Sequence, residues 1–122
     1  MTETIRVALP GAATLVDGAK QSFSAGEFEV LVCRVQGVLY AVEDLCSHAQ
    51  SKLCSGSLRR YVISCPLHSA QFDVRDGKHK SRPAFTGIRS FPITELSGDV
   101  QVEVPAQKPL PNFGGAAPLR PC

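Results

Sequence analysis

The sequence predicts an all-β protein, a small antiparallel sandwich or barrel. Short runs rich in β-branched and aromatic residues recur along the chain, separated by Gly-containing turn signals. Val100, Val102 and Val104 alternate with Gln101 and Glu103, the period-two pattern of a half-buried strand. No window places apolar residues at helical spacing.

In chain order, TIRVAL (4–9) reads as the first strand and FEVLVCRV (28–35) as the second, with a polar, Gly-containing connection between them. Gln36-Gly37 then separates the second run from VLYAV (38–42) and predicts a hairpin. RYVIS (60–64), AQFDVR (70–75) and GIRSFPIT (87–94) continue the series, with a tight turn expected at Asp76-Gly77. Ser97-Gly98-Asp99 links Leu96 to the closing strand VQVEV (100–104). From Pro105 onward five prolines and two glycines in 18 residues mark an extended tail, not a further strand. The segment EDLCSHAQSKLCSGSLR (43–59) does not fit a simple meander. A long irregular connection in a compact domain is usually functional.

Composition narrows the function classes. At 122 residues one domain is expected. A formal charge of +2 is too balanced to suggest nucleic acid as partner. No apolar run is long enough for a membrane span, and Glu3, Pro10 and Gly11 interrupt any signal-peptide pattern. A cytoplasmic protein with reduced thiols is therefore expected. Its five scattered cysteines do not suggest a disulfide scaffold.

Four residues stand out for their chemistry. Cys46-Ser47-His48 lies in the long connection, sixteen residues separate His48 from Cys65, and Cys65-Pro66-Leu67-His68 follows. Each loop offers one thiolate and one imidazole. Buried cysteines and hydrogen-bonded histidines would explain either pair alone, but both pairs together use two of the chain's three histidines. A tetrahedral zinc site suits two cysteines and two histidines. A two-iron, two-sulfide cluster suits them too, with cysteines on one iron and histidines on the other. Zinc knuckles commonly pair like ligands locally, whereas here each loop mixes the types.

On these residues the sequence resembles the Rieske ferredoxins, over roughly residues 4–104. The motif C-x-H-x16-C-x-x-H is highly specific. CPLHSAQFDVRDGK resembles the family's second cluster loop, SRPAF (81–85) its proline loop with Pro83-Ala84 at the matching positions, and GIRSFPITELSGDVQVEV its closing hairpin. Ser69 stands where the family usually has glycine. The resemblance implies a Rieske fold in a single domain of residues 1–105, with a two-loop cluster-binding subdomain at about 43–85 and the tail at 106–122. It implies one [2Fe-2S] cluster held by Cys46, His48, Cys65 and His68, surrounded by Ser47, Ala49, Leu67, Ser69, Ala70, Phe72 and Pro83 as neighbours or docking residues.

Within the family, the respiratory members resemble one another in two further cysteines that link the loops. Ser51 and Leu67 occupy those positions here, so that disulfide is not expected, and Cys54 reads as a packed or free thiol. High-potential members resemble one another in a serine and a tyrosine that donate hydrogen bonds to sulfur, at positions held here by Ala70 and Phe72. Fewer such donors leave the reduced cluster less stabilised, so a potential near roughly −150 mV is expected.

The resemblance further implies a one-electron carrier serving an aromatic-ring dioxygenase. It would take electrons from an NAD(P)H-dependent flavin reductase and pass them to the terminal oxygenase through transient contacts, as a monomer. Alternatives are the small Rieske subunit of an assimilatory nitrite reductase and, from another class, a zinc-stabilised binding module. The chain is too short to hold a catalytic iron site as well, and His79 alone remains for one. Arg59, Arg60, Lys78, Lys80 and Arg82 form a basic group in sequence that could steer an acidic partner. Cys33 reads as core, His79 as a surface residue and Cys122 as an exposed thiol.

Overall fold

The computed structural model describes residues 3–46, 52–66, 70–81 and 87–107. Eleven strands and one 3-10 turn (Ala12–Thr14) make up the regular structure among these residues. The all-β expectation holds, and the strands form three antiparallel sheets. The first sheet joins β1 (Thr4–Ala8), β11 (Asp99–Pro105) and β10 (Ile93–Leu96) in the order β1-β11-β10. The second runs β2 (Lys20–Ala25), β3 (Phe28–Val35), β4 (Val38–Glu43) and β9 (Ser90–Phe91). The third runs β5 (Ser57–Arg59), β6 (Val62–Ser64), β7 (Gln71–Asp73) and β8 (His79–Ser81).

The second sheet is the middle layer, and β3 shows why. Phe28, Val30 and Val32 join one apolar cluster, with Val100, Val102 and Val104 of the first sheet. Leu31, Cys33 and Val35 join the other, with Ile63 and Phe72 of the third. Successive side chains of a strand point to opposite faces, so a strand packed on both sides must be apolar at nearly every position. FEVLVCRV has that composition. Each fully buried side chain of Phe, Leu or Val size contributes about 1.5–3 kcal/mol to burying these faces.

Three elements differ from the sequence expectation. KQSFSA, read as a connection, is strand β2. It is the edge of its sheet, pairing only with β3, so polar residues on it are tolerated. The strand expected over 60–64 begins at Val62, because Arg59 pairs with Val62 and Arg60-Tyr61 is the turn between β5 and β6. The strand expected over 87–94 is two strands, β9 on the second sheet and β10 on the first, divided at Pro92. Proline cannot donate to a ladder, and the chain changes sheets there.

The hairpin turns at Gln36-Gly37 and Ser97-Gly98 form as expected, closed by Val35 opposite Val38 and Leu96 opposite Asp99. Cys33 is fully buried and His79 is exposed on β8, both as expected. Cys54 is packed, at 8% exposure, but it is disulfide-bonded and not a free thiol. No helix among the described residues is long and apolar enough to cross a membrane. The tail beyond residue 107, with Cys122, lies outside the described residues.

Candidate metal centre

Two connections lead out of these strands to the expected ligands. β4 ends at Glu43, and Cys46 follows three residues later. β6 ends at Ser64, immediately before Cys65. Cys46 and Cys65 are 0% and 2% exposed, both carry thiols, and both belong to one apolar cluster with Leu53, Ile63, Ala70 and Phe72. Two thiols nineteen positions apart in sequence are thus brought into one buried neighbourhood. His48 and His68 lie outside the described residues, as do Ser47, Ala49, Leu67, Ser69 and Pro83.

Each ligand loop is closed at its base. The Cys65 N–H donates to the Ala70 carbonyl at 2.7 Å, pinning the ends of the second loop. The first loop is closed by a residue that sequence reasoning missed. Asp44 is 1% exposed, and its Oδ1 accepts hydrogen bonds from the Leu53 N–H at 2.7 Å and the Cys54 N–H at 2.8 Å. The Lys52 ammonium lies 3.7 Å from the other Asp44 oxygen, so the buried carboxylate has a cation beside it. Lys20 of β2 donates to the Cys54 carbonyl and fastens the same loop to the middle sheet. An acidic residue just before a C-x-H motif was the available signal, but its role appears only once the loop returns to it.

The base of the segment resembling a proline loop is also tight. Gly77 has φ of +78°, and a Cβ there would stand 2.0 Å from the Ile88 carbonyl oxygen. Ile88 in turn donates its N–H to the Gly77 carbonyl at 2.7 Å. Nearby, Arg89 donates to the buried Glu43 carboxylate at 3.1 Å, linking β9's approach to the end of β4.

The donor set fits a thiolate-ligated metal group. The two thiols are buried, held on loops closed at their bases, and packed among Leu53, Ile63, Ala70 and Phe72. Ala70 and Phe72 are both 0% exposed in that cluster. Burial pushes a thiol toward its neutral form, as Cys33 illustrates: desolvation raises it to about 12 even though Lys20 nearby pulls the other way. Bound metal reverses that, because a coordinating thiol is deprotonated outright.

The basic residues gather elsewhere. Arg59, Arg60 and Lys80 line a groove of about 640 Å³ on the outer face of the third sheet, together with Arg75, which the sequence grouping omitted. Lys78 is exposed but does not line it, and Arg82 lies outside the described residues.

Residues 6–92 match the family model described as Rieske [2Fe-2S] domain. The chain is 42% identical over 85 residues to the ferredoxin component of biphenyl 2,3-dioxygenase from Rhodococcus jostii (strain RHA1), covering 70% of this chain and 78% of that protein. Among solved structures it is similar to the ferredoxin of carbazole 1,9a-dioxygenase from Nocardioides aromaticivorans IC177, with a TM-score of 0.76, 30% identity and coverage of 80% of this chain and 95% of that one. It is also similar to a chain of a complex of reduced oxygenase and oxidized ferredoxin in carbazole 1,9a-dioxygenase, with a TM-score of 0.77, 30% identity and coverage of 88% and 98%.

Proposed function

Because this chain belongs to the Rieske [2Fe-2S] domain family, we propose that it is a one-electron carrier, the ferredoxin component of an aromatic-ring dioxygenase system. The observation that carries the proposal is the burial of Cys46 and Cys65 together, each on a loop closed at its base, in a chain whose relatives are such ferredoxins. We assign Cys46 and Cys65 to one iron and His48 and His68 to the other, since each loop then gives one ligand to each metal. When bound, the cluster supplies reversible one-electron chemistry.

The protein's own residues do the rest. Cys46, His48, Cys65 and His68 would together hold the cluster, leaving no position for substrate, which suits a carrier and not a catalyst. Leu53, Ile63, Ala70 and Phe72 exclude water from the thiolate side. Asp44 and the Cys65–Ala70 hydrogen bond fix the two loop bases, so that little rearrangement is needed when charge changes. The domain spans residues 1–105, with cluster loops within 43–85 and the tail at 106–122. Ser47, Ala49, Leu67 and Ser69, next to the ligands in sequence, and Pro83 are the candidate docking residues.

An NAD(P)H-dependent flavoprotein reductase is the proposed donor and the terminal oxygenase the acceptor. A related ferredoxin has been solved in complex with its oxygenase, which supports the second assignment. Contacts of this kind are expected to be small and transient, and a cytoplasmic setting suits a carrier fed by NAD(P)H. Anaerobic mixing tests the reading. The visible spectrum of the holoprotein bleaches when NADH and a catalytic amount of reductase are added, and recovers when oxidised oxygenase follows. Bleaching without recovery on the oxygenase, but with recovery on nitrite reductase, would displace the dioxygenase context.

A further inference from the structure

The third sheet has two unlike faces. Ile63 and Phe72 point into the core beside the cysteines, and the alternate residues Ser57, Arg59, Val62, Ser64, Gln71 and Asp73 form the opposite, outer face. Register pairs them across the strands: Ser57 with Ser64, Arg59 with Val62, Ser64 with Gln71, Val62 with Asp73. Over this face runs the groove of about 640 Å³, rimmed by Arg59, Arg60, Arg75 and Lys80. Four cations share it with one carboxylate, Asp73, giving three net positive charges. The whole chain carries only +2, so the charge is concentrated here.

Asp73 is already engaged. Arg75 grips both its oxygens at 3.0 and 2.7 Å, and Lys80 stands 3.7 Å away. Among the described residues neither Arg59 nor Arg60 has a carboxylate partner. Arg60 is also held in a costly backbone conformation, with φ of +54° at the first position of its hairpin turn. The other two-residue hairpin turns, at Gly26-Glu27, Gln36-Gly37 and Ser97-Gly98, each place glycine at a positive-φ position. This turn has none, and keeps a cation where glycine would relieve the backbone.

We propose that this groove receives an acidic segment of a partner protein. That the partner is a redox partner rests on the carrier reading above. Charge complementarity argues for the occupant. The groove reaches the base of the second ligand loop, since Ser64 and Gln71, which line it, stand next to Cys65 and Ala70 in the chain. Nucleic acid is a poorer fit because the groove offers no open aromatic face for a base. The Tyr61 ring is covered by the Arg75 guanidinium at 4.0 Å and meets Tyr40 edge-on. Inorganic phosphate would have to share the groove with Asp73.

Titration of the isotope-labelled holoprotein with decaglutamate tests the proposal. Shifts confined to the groove residues 57–64, 71–75 and 80 are expected, and binding that weakens at least about tenfold from low salt to physiological ionic strength. The variant carrying Arg59→Gln and Arg60→Gly should bind at least about tenfold more weakly while melting no lower than the parent, because glycine suits the turn. Arg59→Gln alone, at an exposed strand end, gives a smaller loss in the same direction. Shifts mapping elsewhere, unchanged affinity in the variants, or tighter binding of oligouridylate or inorganic phosphate than of decaglutamate would each overturn it. The visible spectrum of the same samples reports the cluster separately, so a protein lacking the cluster fails the carrier reading and leaves the groove measurement intact.

Discussion

Phe72 is fully buried in the cluster that holds Cys46 and Cys65, and its ring has no hydrogen to donate to a sulfur. Installing a hydroxyl there by Phe72→Tyr is predicted to raise the midpoint potential, by about 59 mV for each 1.4 kcal/mol that the new bond favours the reduced state. An unchanged or lower potential, with the cluster retained, would show that this position does not set it. Cys33 makes a second residue-scale prediction. Burial pushes its thiol from 9.0 up to about 12. Below pH 9 it is protonated in folded and unfolded chains alike. Between 9 and 12 the unfolded chain alone releases the proton, so stability falls as pH rises, by up to about 1.4 kcal/mol per pH unit. Alkaline denaturation curves of the parent should therefore be steeper than those of Cys33→Ala, and parallel curves would contradict the assignment. Both cysteines of the centre could be picked out from sequence because their spacing to histidine is itself the signal. Asp44 could not, because its partners Leu53 and Cys54 are nine and ten positions away and meet it only when the loop closes.

The loop bases carry the element-scale predictions. Asp44→Ala leaves two buried N–H groups without an acceptor, which costs about 1–3 kcal/mol each. It should lose the cluster several-fold faster under chelator challenge, while Asp44→Asn, which keeps a carbonyl acceptor, retains most of the parent's lifetime. Equal lifetimes for Asp44→Ala and the parent would remove Asp44 as the clasp. Gly77→Ala forces a Cβ onto the Ile88 carbonyl and a left-handed backbone on alanine. It is predicted to lower stability by at least about 2 kcal/mol in a denaturant melt. Among the elements, β3 and β4 were legible because a strand buried on both faces writes a continuous apolar run. β2 was not, since an edge strand with a wet face has no such run. The short strand β5 was hidden inside the segment that looked irregular, since only its pairing with β6 makes it a strand. Arg75 was left out of the basic group because only the folding of β6 onto β7 brings the turn after Asp73 to the same groove as Arg59 and Lys80.

At the scale of the whole molecule, three sheets divide the labour. The first and second make a sandwich around Phe28, Val30, Val102 and Val104, which supplies a rigid base. The third sheet closes a second core over Leu31, Cys33 and Val42, and the ligand loops leave from the edge of that core. Arg34 ties the base together at another point, donating to Glu95 at 3.0 and 2.8 Å and to the carbonyls of Ala13 and Gly37. The cysteine half of the centre thus sits in a buried core, which suits a carrier whose geometry should stay fixed as its charge changes. An anaerobic redox titration of the purified protein, followed by electron paramagnetic resonance, tests the central claim most directly. The account predicts a rhombic Rieske-type signal appearing in a single one-electron step near roughly −150 mV, and its loss in Cys65→Ser. A colourless protein with stoichiometric zinc and no signal, or a strongly positive midpoint, would contradict it.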